Sequence, residues 1–431
     1  MHIVPLARTG CLLVVLAVSQ AVYAAEYDPD KLTVPAAGLL AADVLQTENY
    51  RIAKDVLVSG YMNHYTVESA NGKFTAVGNL NLKKLLREID AIVELKKMSS
   101  VGVGTDAAVD AVAATGKSLA ALASDPEGTM NNLGAGVSRL FKRTRKTAED
   151  VGTKVVEAAT DEGDDGSAQK DGSDMASQLA SSYLGIGKAQ RRIAGELKVD
   201  PYSDNAVLQA ELARVAKISG TVGKLTKMLI PIPSVVGTAA SVSNLVWSLS
   251  PTDLQIQNQE TLKALGYSDK VIKQFFSSKI YSPTEQTAFV AAVKALDRAK
   301  GSKELLKAAT KAETAIEGEF FVRSILLAQL YNEQVDPVIE IISAPGRLVP
   351  VFITKSGDGI VFAALDYLPW TREVAEAVTE MTSLMDKHGG SDEHLLWVTG
   401  NTSDLALARL KSAGWVETSK AFSKLKTTIK D

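Results

Sequence analysis

The sequence predicts an α+β protein that is predominantly α-helical, with strands near its two ends. An Asn-Gly pair at 71–72, between two alternating apolar runs, is typical of a β-hairpin turn. Helical spacing of apolar residues dominates the middle of the chain, and short β-rich runs follow Pro337. We therefore expect an N-terminal α+β region with a hairpin-plus-helix unit at 25–147, a central helical domain at 183–336 and a C-terminal mixed α/β domain at 337–431.

Residues 1–24 have the pattern of a cleaved secretory signal peptide. Arg8 precedes an apolar run from Cys11 to Val18, and Val22 and Ala24 occupy the −3 and −1 positions of the expected cleavage site. The run is shorter than the roughly 20 apolar residues that a membrane-spanning helix needs. We expect cleavage after Ala24, with Ala25 as the alternative, and export to the periplasm, with release from the cell as the alternative. An uncleaved anchor is the alternative to a cleaved signal peptide.

Cysteine content and charge narrow the classes of function. The one cysteine of the 431 residues, Cys11, lies in the expected signal peptide, so the mature chain has no disulfide, thiolate metal site or cysteine nucleophile. Removing Arg8 from the 47 basic residues leaves 46 against 50 acidic ones. This near balance provides no field strong enough to drive binding to nucleic acid. We expect no nucleic-acid partner, no cofactor and no metal.

Local patterns predict the elements of the N-terminal region. Residues 39–44 are expected to be helical, and hairpin strands are expected over 61–69 and 73–77. An amphipathic helix follows, because six apolar residues share one face at helical spacing. They are Leu82, Leu85, Leu86, Ile89, Ile92 and Val93. A second, alanine-rich helix is expected at 105–123.

An acidic linker is expected at 148–182. Its centre, residues 160–174, reads TDEGDDGSAQKDGSD and contains one apolar residue, Ala168. A segment of this composition cannot bury enough apolar surface to offset the entropy lost on ordering. We therefore expect the linker to be disordered.

Capping signals locate the helices of the middle domain. Asp204-Asn205 is expected to cap a helix that runs through Lys217, and Ser282-Pro283-Thr284-Glu285 is a capping box for a helix that runs to about Lys300. Ser302 is expected to cap the helix after that one. A strongly apolar helix is expected around Phe320–Leu330.

The stretch Met228–Ser250 has 23 residues without a formal charge, which is long enough to span a bilayer. Pro231 and Pro233 shorten its helical part, and several serines make it only mildly apolar. We expect a helix buried in the helical domain. Insertion of this stretch into a membrane is the alternative.

The C-terminal region begins with three short β-rich runs that predict an antiparallel meander. These runs are 338–343, 348–354 and 360–365. Helices and strands then alternate. The expected order is a helix at 371–387, a strand at 394–398, a helix at 403–413 and a strand at 415–418.

The segment 388–403 holds the candidates for chemistry. His388 and His394 flank two carboxylates, but their spacing matches no metal-binding helix, so we predict no metal site. The candidates for hydrolase-type catalysis are Asp392, His394 and Ser403. A carboxylate, an imidazole and a hydroxyl are groups that such catalysis uses.

One part of this segment has a family resemblance. The run Leu395-Leu396-Trp397-Val398-Thr399-Gly400-Asn401-Thr402-Ser403 leads into Leu405–Leu410 and Ala413-Gly414-Trp415. This order of strand, glycine turn, serine-capped helix and Gly-aromatic exit resembles the active-site segment of rhodanese-like domains. The resemblance implies a nucleophilic cysteine near Trp397, where the mature chain has none, so sulfur transfer is excluded. The helix N-terminus at Thr399, Gly400, Asn401, Thr402 and Ser403 is then a candidate anion site or a plain helix cap.

Taken together, these patterns favour a periplasmic, non-catalytic binding or scaffold protein that contacts an envelope protein or another component of the bacterial envelope. The reasons are the expected export signal, the modular layout, the near-neutral charge and the lack of a recognisable catalytic motif. Two alternatives remain. One is a hydrolase-type enzyme with its site in the C-terminal domain, and the other is a membrane-active protein that inserts residues 228–250.

Overall fold

The computed structural model describes residues 26–100, 186–219, 238–344, 346–390 and 393–425. It contains both helices and sheets, which confirms a mixed α+β structure. The expected signal peptide, the helix at 105–123 and the acidic linker at 148–182 lie outside the described residues. The division of the chain into domains stays a prediction.

The N-terminal unit, residues 26–100, is an antiparallel sheet with one long helix across it. Its elements are β1 (Lys31–Pro35), a 3-10 turn (Ala36–Gly38), α1 (Ala42–Leu45), β2 (Tyr50–Ile52), β3 (Asp55–Ser59), β4 (Met62–Ser69), β5 (Gly72–Val77) and α2 (Asn79–Ser100). The predicted hairpin is confirmed, because β4 and β5 pair from Ser69 and Gly72 onwards. β1 and β3 pair in the same sheet, and both β2 and β3 pair with β4. Of the helix expected at 39–44, only residues 42–44 are helical, as part of α1, and the 3-10 turn ends before residue 39.

Helix α2 packs its predicted apolar stripe onto one face of this sheet. Leu82, Leu86 and Ile89 are buried against Tyr65 and Val67 of β4. Alternate residues of a strand point to one face, so the β4 positions that meet α2 are two apart. The C-terminal half of α2 extends beyond the sheet, where Ala91, Ile92 and Leu95 pack in a cluster with residues of the following helices.

Eight helices of the described chain follow. They are α3 (Lys188–Glu196), α4 (Ala206–Ser219), α5 (Thr238–Ser248), α6 (Pro251–Ala264), α7 (Asp269–Phe276), α8 (Pro283–Ala295), α9 (Glu304–Ala309) and α10 (Ala315–Gln334). The Asn205 cap is confirmed, because its Oδ1 accepts the backbone N–H groups of Val207 and Leu208 at 3.2 and 3.3 Å. The capping box of α8 is also confirmed, with reciprocal hydrogen bonds between Ser282 and Glu285.

Two of the helix boundaries differ from the prediction. Helix α8 ends at Ala295 instead of about Lys300, and Lys300 pairs its backbone with the first strand of the C-terminal sheet. The cap expected from Ser302 is wrong, since its hydroxyl donates to the Asp297 carbonyl and Lys303 is the N-cap residue of α9.

The uncharged stretch Met228–Ser250 is described only from residue 238 onwards. There it forms α5, in which Val242 and Val246 are buried against Tyr202 and Leu254. Across the described ranges, no helix combines the length and the apolar character needed to cross a membrane.

The C-terminal sheet is mixed. Its strands are β6 (Val338–Ser343), β7 (Pro350–Thr354), β8 (Gly359–Ala363), β10 (His394–Val398) and β12 (Trp415–Thr418), in the order β12-β10-β8-β7-β6. The predicted meander of β6, β7 and β8 is antiparallel, whereas β10 runs parallel to both β8 and β12. A two-stranded pair, β9 (Tyr367–Leu368) and β11 (Asn401–Thr402), lies beside it. The remaining helices are α11 (Arg372–Lys387), α12 (Asp404–Ser412) and α13 (Ala421–Lys424).

The C-terminal sheet is covered on both faces. Residues of α7 to α10 pack against one face, where the Tyr331 ring meets Phe362 and Trp397 at 5.3 and 5.0 Å between ring centroids. The apolar sides of α11 and α12 cover the other face. One apolar cluster therefore continues from the helices into the sheet and passes the boundary that the sequence predicts at residue 336.

The close contact between Gly301 and β6 gives a testable consequence. Gly301 has φ +82°, and a Cβ there would lie 2.1 Å from the Ile341 carbonyl oxygen. Gly266 has φ +80° with open space around the Cβ position, so it is a matched control. We expect Gly301→Ala to lower the free energy of unfolding by at least about 2 kcal/mol more than Gly266→Ala, as measured by urea denaturation. Equal losses would show that space at Gly301 is unimportant.

Candidate functional site

The tip of the β3–β4 hairpin inserts into the C-terminal part of the chain. Gly60 and Tyr61 form its two-residue turn with φ values of +57° and +69°, as a type I′ turn requires. A left-handed tyrosine is uncommon and is held by its surroundings. The Tyr61 carbonyl accepts the backbone N–H groups of Asp366 and Tyr367 at 3.1 and 3.2 Å, and the side chain is buried.

The Asp366 carboxylate binds the N-terminal unit in return. Its Oδ2 accepts the N–H of Asn63 in β4 at 2.9 Å. The N–H of Asn79, the first residue of α2, donates to Oδ2 at 3.0 Å and to Oδ1 at 3.1 Å. The first turn of a helix has unpaired N–H groups and a partial positive charge. Asp366 therefore caps α2 from a position 287 residues away in the sequence.

Side-chain amides and a phenol fix the two residues that Asp366 binds. The Asn63 amide nitrogen donates to the Tyr65 hydroxyl at 3.2 Å and to Asn79 Oδ1 at 3.0 Å. The Tyr65 hydroxyl donates to the same Asn79 oxygen at 2.6 Å. Tyr65 and Asn63 are almost completely buried, so the bond between their side chains forms away from water.

Helix α10 brings two charged side chains to the same place. Arg323 donates to Asn81 Oδ1 at 2.8 Å and forms an ion pair with Glu319. The Asn81 amide nitrogen donates to Glu319 Oε2 at 2.6 Å, which links α2 to α10. We call this set of contacts the Asp366 junction. Its members are Asn63, Tyr65, Asn79, Asn81, Glu319, Arg323 and Asp366.

Burial dominates the electrostatics of the Asp366 junction. It raises the pKa of Asp366 to about 6, although the N–H groups of Asn63 and Asn79 and the Arg323 guanidinium lower it. Glu285, in the first turn of α8, also faces Glu319 and Arg323. Burial first and the Glu319 carboxylate second raise the pKa of Glu285 to about 7. Burial therefore raises the pKa of both carboxyl groups.

A second polar contact joins α2 to the start of α4. Glu88 is buried, and its two oxygens accept the Ser203 hydroxyl at 2.6 Å and the Asn205 amide at 3.0 Å. Lys84 lies 3.9 Å from Glu88 and 3.7 Å from Asp204. Burial raises the pKa of Glu88. Helix α2 is thus held at its first residue by Asp366 and at its middle by residues 203–205.

Of the predicted catalytic residues, the structure describes His394 and Ser403 and does not bring them together. His394 begins β10, where its Nε2 pairs with Asp386 Oδ1 at 3.0 Å and its ring lies 5.8 Å from that of Trp415. Ser403 follows the other end of β10, and the four-residue rise of the strand alone is about 13 Å. Asp392 lies outside the described residues.

The predicted anion site, Thr399–Ser403, already uses most of its polar groups inside the protein. The Ser403 hydroxyl accepts the Ala406 N–H at 3.0 Å and donates to the Asp28 carboxylate. Thr402 donates to the Glu417 carboxylate at 2.6 Å. The Thr399 hydroxyl donates to the Leu365 carbonyl at 2.7 Å. Two carboxylates at this helix N-terminus would repel an anion.

The segment Thr399–Ser403 instead contacts the backbone of Asp366. The Asn401 N–H donates to the Asp366 carbonyl at 2.9 Å. Gly400 lies so close that a Cβ at that position would be 1.9 Å from the same carbonyl oxygen. The glycine turn that the sequence indicated is therefore needed for close approach of two backbones.

His388 pairs with Glu340 at 3.1 Å, so it faces a different carboxylate from His394. Within the described ranges, no group of three or more histidine, cysteine or acidic residues is placed to hold a metal ion. An apolar cavity between α11 and the sheet has a volume of about 20 Å³, which is room for one water-sized molecule.

Comparisons with protein-family models, with curated proteins and with solved structures gave no match for this chain.

Asp366, Asn63 and Asn79 were not predicted from the sequence. A local signal existed for one of them, because Gly78-Asn79 immediately precedes the amphipathic stripe of α2 and is typical of a helix start. No local signal pairs that start with Asp366, since the contact depends on how two distant sheets meet.

Removal of the Asp366 carboxylate is expected to destabilise the fold. Asp366→Ala leaves the N–H groups of Asn63 and Asn79 without their acceptor, which costs roughly 2–4 kcal/mol for two buried donors. Asp366→Asn keeps an oxygen in place and should lie within about 1 kcal/mol of wild type. Urea denaturation at neutral pH measures both. Asp30→Ala, at an exposed aspartate, is the control, and a loss no larger than its own would contradict this role of Asp366.

Proposed function

We propose that this chain is an exported, non-catalytic binding or scaffold protein of the bacterial envelope, and that it binds its partner through the outer edge of β12. The sequence of residues 1–24 supports export. The single observation that carries the binding role is an open sheet edge with an exposed apolar side chain. Envelope proteins and other envelope components are the expected partners.

Strand β12 offers both backbone and apolar groups for binding. It pairs with β10 on one side, and no further strand of the described chain pairs with its other side. Trp415 anchors it, because the indole is buried and its N–H donates to Thr382 at 2.9 Å. The next residue, Val416, is 51% exposed. An edge of this kind can add an extended segment of a partner, whose backbone completes the hydrogen bonds.

Two other strand edges are protected. The outer side of β6 is covered near Ile341, where the Lys300 N–H donates to the Ile339 carbonyl at 2.8 Å and the Lys300 carbonyl accepts the Ile341 N–H at 2.7 Å. On the N-terminal sheet, β1 carries the exposed residues Lys31 and Pro35. Lysine and proline at an edge discourage strand addition. Of the two outer strands of the C-terminal sheet, β12 is the one without a backbone bridge on its outer side in the described chain.

The two alternative functions have less support. A hydrolase site built from His394 and Ser403 would need the two side chains at the same end of β10. His394 lies at the start of this strand, and Ser403 follows its other end. Membrane insertion of residues 228–250 stays a prediction, because residues 228–237 lie outside the described chain.

A matched pair of substitutions tests the proposal. Val416→Lys places a charge on the strand edge, whereas Ile256→Lys makes the same change at a 49% exposed apolar residue on α6. We expect a stoichiometric partner to be recovered from the envelope fraction with wild type and with Ile256→Lys. Recovery should fall about tenfold with Val416→Lys, for a loss of roughly 1.4 kcal/mol of binding free energy.

The opposite outcomes are clear. If the full-length exported protein is recovered alone after gentle crosslinking, the binding role is contradicted. If Val416→Lys and Ile256→Lys retain the same partner to the same extent, the partner does not use the edge of β12.

A further inference from the structure

A buried arginine lies at the start of α3. Arg191, the fourth residue of that helix, is 7% exposed. Its Nη1 donates to the backbone carbonyl of Ile186 at 2.7 Å. Ile186 immediately precedes Gly187, the N-cap residue of α3, so the guanidinium is folded back to the N-terminus of its own helix. A neutral carbonyl satisfies one N–H of the guanidinium but does not balance its charge.

No carboxylate balances that charge either. Within the described residues, Arg191 forms no ion pair, and its Nε is buried without an acceptor. Asp200 and Asp253 lie near Tyr202, which also faces Arg191, but both carboxylates are bound elsewhere. Asp200 Oδ1 accepts the Tyr202 N–H at 2.9 Å and the Thr284 hydroxyl at 2.7 Å. Asp253 Oδ2 accepts the hydroxyl of its own helix cap at 2.6 Å. A buried guanidinium without a carboxylate partner costs free energy.

The N-terminus of α3 adds to this excess of positive charge. The first turn of an α-helix has unpaired N–H groups and a partial positive charge, so a cation there is unfavourable. The backbone N–H groups of Lys188 and Ala189 have no acceptor among the described residues. No acidic residue lies in this turn, and the Lys188 side chain brings a second cation. An anion between Arg191 and the helix end would relieve this repulsion.

The start of α3 is open to solvent, and the helix behind it is held in place. Gly187 and Lys188 are exposed. The Gly187 N–H donates to Gln190 Oε1 at 2.8 Å, which fixes the cap. Further along α3, Gly195 packs so closely on Trp247 that a Cβ there would lie 3.1 Å from the indole ring. An incoming anion would therefore meet a preformed set of donors.

We propose that Arg191 and the first turn of α3 form a binding site for an oxyanion, namely the phosphate or carboxylate group of a small ligand. The N-terminus of a helix binds such a group through its N–H groups and its dipole. The guanidinium supplies the balancing charge and a charge-assisted hydrogen bond. The site uses different residues from the edge of β12, so each proposal stands or fails without the other.

Titration of the full-length exported protein with inorganic phosphate, followed by NMR, tests the site. We expect the Nε–H resonance of Arg191 and the amide resonances of Lys188 and Ala189 to shift together and to saturate, with a Kd of about 10 mM or lower. A parallel titration with acetate distinguishes a carboxylate ligand from a phosphate ligand. Sodium chloride at the same ionic strength is the control, because it screens charges without offering oxygen atoms.

Substitution of Arg191 tests the buried charge. We expect Arg191→Gln to weaken binding of the saturating oxyanion at least about tenfold, since a charge-assisted hydrogen bond is lost. Arg192→Gln is the matched control, because the next arginine of the same helix is exposed and lies 3.7 Å from Glu196. Its affinity should stay within about twofold of wild type.

A second pair of variants tests the backbone N–H groups and leaves Arg191 in place. Lys188→Pro removes the N–H of the first helical residue, a position where proline is tolerated. Gly187 has φ −70° and ψ 166°, close to the −66° and 160° of Ser282, which precedes Pro283 in the same position of α8. Lys188→Ala removes the side-chain charge and keeps the N–H. We expect binding to be about threefold to tenfold weaker in Lys188→Pro than in Lys188→Ala.

Three results would overturn the site. Shifts that stay linear with both phosphate and acetate, and that sodium chloride reproduces, would indicate screening alone. Equal affinities of Arg191→Gln and Arg192→Gln would show that the buried guanidinium takes no part. Equal affinities of Lys188→Pro and Lys188→Ala would show that the helix N-terminus takes no part.

Discussion

The carboxylate of Asp366 is the contact on which the arrangement of the described chain depends. It accepts N–H groups from strand β4 and from the start of α2, both in the N-terminal unit. The backbone of Asp366 also binds the hairpin tip and Asn401. A buried carboxylate is costly unless it is fully hydrogen-bonded. Here it satisfies donors that would otherwise be buried without partners, so its removal should cost more than the loss of one surface bond.

This contact also places the surfaces that a partner could use. The segment Thr399–Ser403 supports Asp366 on one side and starts α12 on the other, and α12 leads directly into β12. The edge that carries Val416 is thus part of the same body as the junction. We propose binding at that edge, and the substitution at Val416 tests it without changing Asp366.

Local features of the fold could be predicted from the sequence, because their causes lie within a few residues. The Asn-Gly turn of the N-terminal hairpin, the Asn205 cap and the Ser282–Glu285 capping box are examples. Strand β1 was missed because its proline and lysine residues weaken the strand pattern. The end of α8 was also not predicted. The chain beyond this helix forms a backbone bridge to β6 at Lys300, a residue distant from β6 in the sequence.

The candidate site was less predictable for a physical reason. The sequence located the glycine turn and the Ser403 cap, but the carboxylates that complete them, Asp28 and Glu417, come from distant parts of the chain. Likewise His394 and Ser403 are close in sequence, and an extended strand separates them. Asp366 acts through partners 287 and 303 residues away, which no local pattern contains.

The most direct measurement is an NMR titration of the backbone amides in the full-length exported protein. If Asp366 accepts the N–H groups of Asn63 and Asn79 while it titrates, both amide resonances shift together with one midpoint near pH 6. The same resonances in Asp366→Asn should not follow that titration. Amides of Asn63 and Asn79 that stay fixed between about pH 4 and 8, or that titrate with different midpoints, would contradict the account.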